Sequence, residues 1–146
     1  MSKSNSWENA LMLLLFNNTN AANIGDATGL RGSSTAGNLY ISLHTADPGE
    51  AGDQTTSEAN YTGYARVSVA RSGAGFTVTN NQAVNAAAIT CGACTAGTNT
   101  ITHFGIGTAS SGAGVLLYSG AVSPNIAVAS GSTPEIASGQ LTISED

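Results

Sequence analysis

Few side chains in this sequence are equipped for chemistry, and most of them stand together. Residues 44–58 read HTADPGEAGDQTTSE, one imidazole (His44) with the carboxylates Asp47, Glu50, Asp53 and Glu58, and Asp26 lies upstream. Carboxylates beside an imidazole suit general acid–base work or the binding of a hard cation. A calcium loop, however, places its oxygens at alternating positions, as in D-x-[DN]-x-[DN]-G, so that they converge on one ion. Here the successive carboxylates 47, 50 and 53 stand three residues apart, and that spacing does not converge. Pro48-Gly49 reads instead as a tight turn, proline fixing one backbone angle and glycine supplying a positive φ. The stretch is expected to be a solvated acidic connection, with Asp47, Glu50 and Asp53 forming a contact surface and not a reaction centre.

The other constellations are weaker. Cys91 and Cys94, in CGAC, have the C-x-x-C spacing of zinc and redox sites. A structural zinc needs four ligands and there is no second pair. A redox cysteine is activated at a helix N-terminus, whereas the flanks AIT and TAG read as strand and turn. Two small, partly buried thiols are expected. GIGTASSGAG (residues 105–114) follows a strand but matches neither G-x-G-x-x-G nor the Walker spacing, so it reads as a hairpin turn. No G-x-S-x-G is present. A serine–histidine–acid triad drawn from His44 or His103 and the many serines would be uninformative. No catalytic, cofactor or metal residue is assigned, and no enzyme activity is expected.

Two kinds of element must carry these residues. Asn5 and, three residues on, Glu8 resemble a capping box opening a helix. Trp7, Ala10, Leu11, Leu14 and Leu15 fall on one helical face, and Met12, Leu13 and Phe16 widen it past half the circumference. So apolar a helix must bury more than one side, in its own core or on a neighbouring chain. Residues 17–38 form a long Asn/Gly/Ser connection. From Leu39 the period becomes two: Leu39, Ile41 and Leu43 alternate with Tyr40, Ser42 and His44. Further strands are expected at 65–70, 76–79, 84–90, 100–106, 115–120, 126–129 and 140–144, with Gly-rich or Pro-containing turns between them. The fold class is mainly β, an antiparallel β-sandwich or jelly-roll with a short N-terminal α-helix. Residues 1–38 form a helix and extended arm, and residues 39–146 the β-sandwich domain.

Composition narrows the partners. The net charge is −5, with Lys3, Arg31, Arg66 and Arg71 as the permanent cations. Four scattered cations cannot neutralise a run of phosphates, so nucleic acid and anionic membrane are disfavoured as partners. The apolar run at 10–16 is too short to span a bilayer. The length suits one domain made in the cytoplasm.

Together, LYISLHTADPGEAG, YTGYARV and THFGIGT, with the closing LTISED, resemble a family of small tailed-bacteriophage virion proteins. The resemblance covers roughly residues 25–146. Members are often labelled tail fibre proteins, and some resemble the cement, or decoration, proteins that sit as jelly-roll dimers on a capsid exterior. It implies a structural protein in the virion, on the outer capsid surface. Its partners would be the major capsid protein, whose adjacent subunits it cements, and a second copy of itself. A tail or head fibre component binding a host-surface glycan or receptor is the alternative. On the cement reading Trp7, Leu11, Leu14, Leu15 and Phe16 are the expected apolar anchors; the fibre reading would be favoured by a shallow aromatic platform from Tyr40, Tyr61, Tyr64 and Tyr118. The acidic charge would steer docking.

Overall fold

In the computed structural model, which describes residues 2–145, the chain is mainly β, with antiparallel sheets and one N-terminal helix. The elements are α1 (Asn5–Asn17), β1 (Asn38–His44), β2 (Val67–Ala70), β3 (Phe76–Thr79), β4 (Gln82–Asn85) and β5 (Ile89–Thr90). They continue with β6 (Asn99–Gly107), β7 (Leu116–Val128), β8 (Glu135–Ile136) and β9 (Thr142–Ser144). The strands form sheets ordered β2-β1-β6-β7, β3-β4-β9 and β5-β8. The chain divides into two compact units. One comprises Met1–Asn38, Ala70–Ala88 and Ile136–Asp146, the other Leu39–Val69 and Ile89–Glu135. No helix among the described residues is long and apolar enough to cross a membrane.

The first unit is built around α1. Its N-cap is Ser4, one residue before the expected Asn5, because Ser4 keeps an extended backbone and its hydroxyl accepts from the Trp7 N–H. The fully buried line runs through Met12 and Phe16, with Glu8 nearly as deep. This line is rotated from the face of Trp7, Leu11, Leu14 and Leu15, whose residues are half-buried. The helix packs on β3 and β4, and the Phe16 ring meets Phe76 edge-on at 4.9 Å. At the helix C-terminus Arg71 donates to the carbonyls of Leu14 and Leu15, at 2.9 and 2.7 Å, and to Ala36 at 2.9 Å. A distant residue thus supplies the cation that the negative end of the helix favours.

Buried Asn85 explains why the expected strand 84–90 is broken. Its amide donates to the carbonyls of Ala87 and Ala137, and its oxygen accepts from the Leu141 N–H. This side chain takes backbone groups that a continuing ladder would have used, and the chain leaves this sheet; strand pairing resumes at Ile89 in the separate β5-β8 sheet. The short pairing of β5 with β8 had no periodic signal, being two residues long on each side.

In the second unit β1 is central, between β2 and β6. Leu43, Ala59, Tyr61, Cys91, Cys94, Ile101 and Val128 form its core cluster. Strands expected at 115–120 and 126–129 are one strand, β7, paired with β6 along both parts. Ile101 pairs with Ile126 and His103 with Ala121, so β7 bulges between these points. Pro124 falls within the bulge, where its missing N–H interrupts no ladder bond.

Candidate functional site

The acidic stretch after β1 folds back on its own unit, and its anchor is His44. Alternation puts Ser42 and His44 on the polar face of β1, yet both are fully buried. The Nδ1 of His44 lies 2.8 Å from the Thr56 carbonyl, which can only accept, so Nδ1 carries the proton. Nε2 is then an acceptor, and the Ser42 hydroxyl donates to it at 2.8 Å. A serine donating to an oriented imidazole resembles an activated nucleophile. This pair, however, is enclosed. Burial lowers the His44 pKa, outweighing the Thr56 carbonyl, which raises it, so the ring is neutral. Gly105 faces the pair across the sheet, and a Cβ there would crowd His44 Nε2, Ser42 Oγ and Leu116.

The far end of the stretch is held by a second network. Arg66 grips the Glu58 carboxylate with both ends of its fork, Nε to Oε1 at 2.6 Å and Nη2 to Oε2 at 2.8 Å. It also donates to the carbonyls of Ala109 (2.9 Å) and Gly112 (2.7 Å) in the β6–β7 turn. Its side chain is only 2% exposed. The bond to Glu58 holds the guanidinium pKa above its ordinary value. Tyr64 completes the network, accepting from the Leu43 N–H at 3.0 Å and donating to Glu58 Oε1 at 2.8 Å. Burial, reinforced by Glu58, drives the phenol far above its usual pKa. Gly63, between Tyr61 and Tyr64, has φ +102°, and a Cβ would strike the Ala93 carbonyl.

Gln54 fastens the middle of the stretch. Its N–H donates to the Ala113 carbonyl at 3.0 Å and its Oε1 accepts from the Ala109 N–H at 2.9 Å. Gly107 and Gly114 leave the space its side chain occupies. Asp53 closes a turn, accepting from the N–H and hydroxyl of Thr55, which lowers its pKa. Asp26 does the same with Thr28 in the other unit. Asp47 caps the turn at Gly49, whose N–H it accepts at 2.9 Å, and Gly49 has the expected positive φ of 68°. Among the described residues no three His, Cys, Asp or Glu stand where they could hold a metal ion.

Of the expected contact residues, the structure brings Asp47 and Glu50 together, both exposed, on a cleft of about 470 Å³ that also takes in His103. Asp53 stands apart in its turn. Trp7, Leu11, Leu14 and Leu15 keep some exposed surface in the helical unit, whereas Phe16 is wholly inside it. Cys91 and Cys94 are free and buried, and burial pushes the Cys91 thiol up to about 11. Sequence reasoning gave Arg66 and Gln54 no site role, and it placed Tyr61 and Tyr64 in a shallow aromatic platform, whereas Tyr61 is buried and both phenols are bonded inward. For Arg66 and Tyr64 the available signal was YTGYARV itself, a glycine between aromatics followed by one of four cations.

A family model described as podophage GP4 fiber I protein gp80 matches residues 2–144. No curated protein matches the chain.

Proposed function

The chain belongs to the podophage GP4 fiber I protein gp80 family, a family of phage structural virion proteins, and from that premise we propose that it acts as a fibre subunit that docks on neighbouring virion proteins. One observation carries the reading. Five of the polar side chains that could do chemistry, Ser42, His44, Glu58, Tyr64 and Arg66, are turned inward and hold the chain's own loops, while Asp47 and Glu50 stay exposed. Ser42 and His44 bond each other and the Thr56 carbonyl. Tyr64 and Arg66 both donate to Glu58 and between them bond three backbone groups. What faces outward is short, mostly neutral side chains on strands and turns, a surface that another backbone can approach closely.

A second reading has the same physics at a different address. The half-exposed Trp7, Leu11, Leu14 and Leu15 of α1 favour a cement role. In it a homodimer on the outer capsid surface fastens adjacent major capsid protein subunits, with these side chains as apolar anchors. Phe16 has no surface left for that purpose. Cryo-electron microscopy of particles made with and without the chain separates the readings. Density lost from an appendage supports the fibre role, and density lost from the shell supports the cement role. Particles with no trace of the chain would refute both.

A further inference from the structure

Glu8 is buried, only 7% exposed, and among the described residues nothing donates to its carboxylate. Burying a charge without a partner is costly. A capping box would have used it, but that motif needs the acid three residues after the cap. With Ser4 as N-cap that place belongs to Trp7, and Glu8 stands one residue further on. The positive end of the helix favours an acid here, yet it would do so equally in solvent. Glu8 opens instead onto a pocket of about 280 Å³ lined also by Asn5, Asn80 and Asn81. Asn80 and Asn81 form the turn between β3 and β4, on which α1 packs. The Asn81 amide already donates to the Glu145 carbonyl at 2.8 Å, which leaves its Oδ1 to accept. The pocket thus presents a carboxylate and amide oxygens, and none of its lining residues brings a positive charge.

Size and charge select the occupant. A hard cation gathers several carboxylates around a space far smaller than this one, and here there is one carboxylate. A neutral hydroxyl compound could bond the amides but would leave the charge unmatched. A guanidinium meets both requirements, since its fork takes a carboxylate and its other N–H groups reach amide oxygens. Within this chain Arg66 and Arg71 are engaged by internal partners, and Lys3 pairs with Glu145. Arg31 is exposed and donates to the Thr28 hydroxyl alone, at 3.1 and 3.4 Å. A built hairpin carries it. Ala21 and Leu30 exchange backbone hydrogen bonds at 2.9 Å, Asp26 closes the turn, and at Gly29 (φ +66°) a Cβ would strike the Ala21 carbonyl. The same hairpin exposes Ile24 and Leu30, by 41% and 42%. We infer that the hairpin of one copy docks on the helical unit of a second copy, with Arg31 entering the Glu8 pocket and Ile24 and Leu30 covered beside it. A preformed loop that presents an arginine among apolar side chains has the composition of an interface anchor and little entropy to lose on docking.

This contact rests on the reading that the chain docks on neighbouring virion proteins, and it names a second copy as one of them. It is tested on the purified full-length chain, so its failure would leave the microscopy of particles to decide that reading separately. Analytical ultracentrifugation of the parent should show concentration-dependent association that weakens as salt is raised. Glu8→Gln and Arg31→Gln should each weaken it by about thirtyfold or more, and the double variant should weaken it no further. Each single variant keeps one half of the contact. An equimolar mixture of the two should therefore associate more tightly than either alone, a gain that misfolding would not produce. The inference is overturned if the parent stays monomeric up to its solubility limit, if either variant associates as tightly as the parent, or if the mixture gains nothing. It is equally overturned if calcium at about millimolar concentration shifts the amide resonances of residues 5–8 and 80–81 in dilute isotope-labelled parent, since the occupant would then be an ion.

Discussion

Replacing Arg66 tests whether the acidic stretch is held by geometry or merely by charge. Arg66 makes four hydrogen bonds, two to the Glu58 carboxylate and two to carbonyls of the β6–β7 turn. Breaking a buried ion pair from one side costs about 3–5 kcal/mol, because the remaining charge is stranded. Glu58 is 18% exposed, so water and Tyr64 can partly take over. The lower end of that range, about 3 kcal/mol, is therefore expected for Arg66→Met. For a chain of this length each kcal/mol moves the melting temperature by about 2–4 °C, so Tm should fall by roughly 6–12 °C. Arg66→Lys is the decisive comparison. An ammonium keeps the charge but cannot form the fork and reach two carbonyls together, so it should recover less than half of the loss. Denaturant unfolding followed by circular dichroism reads both variants, and Arg66→Met/Glu58→Gln should lose less than the two singles added. If Arg66→Lys is as stable as the parent, the fork is not what holds the loop and the reasoning fails.

Gly63→Ala should cost at least about 2 kcal/mol, since a positive φ and a close carbonyl both oppose the new methyl; chemical denaturation measures it, and a neutral result would mean that this turn relaxes. His44 is buried neutral with a lowered pKa. Below the unfolded imidazole value of about 6.5 the unfolded chain therefore binds the extra proton, and stability falls by at most about 1.4 kcal/mol per pH unit. Melting curves from about pH 5 to about pH 8, which bracket that value, should show the loss in the parent and a flatter profile in His44→Gln. The raised Cys91 thiol acts at the opposite end: its contribution is intact below the unfolded pKa of 9.0 and is lost as pH rises through about 11. Because both cysteines are buried, thiol labelling of the folded chain at neutral pH should be slow at each and become fast in denaturant.

The local periodicities were legible in the sequence, and the side-chain staples were not. Helical spacing located α1, and alternation located β1 and β6 within a residue or two. The cap moved from Asn5 to Ser4 because both residue types cap well and only the backbone at Ser4 decides between them. The buried line moved to Met12 and Phe16 because a helix apolar nearly all round does not say which side meets β3 and β4. His44 shows the deeper difficulty. By alternation it belongs to the solvent face of β1, and it is buried because the stretch that follows folds over that face. Such closure depends on partners far along the chain: Glu58 with Arg66, Arg66 with Ala109 and Gly112, Gln54 with Ala109. No periodic signal relates residues that far apart. The spacing of the carboxylates spoke only against an ion site; the structure places Asp47 and Glu50 along one cleft and Asp53 in a separate turn.

These staples also bear on why so small-featured a chain holds a shape at all. Only 5% of its residues are aromatic, and 18 are glycine, so large side chains contribute less to burial than in an ordinary domain. Glycines also raise the entropy that folding must overcome. Under those conditions long loops must be held by specific bonds. Arg66, Arg71, Asn85 and Gln54 do this, each joining backbone groups distant in sequence. The arrangement ties stability to function. Polar atoms turned inward hold the loops, and the outer surface is left largely to short side chains, with Asp47 and Glu50 exposed at one cleft. Substitutions at the staple residues should therefore lower the melting temperature, whereas one at the exposed Glu50 should move stability by no more than about 0.5 kcal/mol.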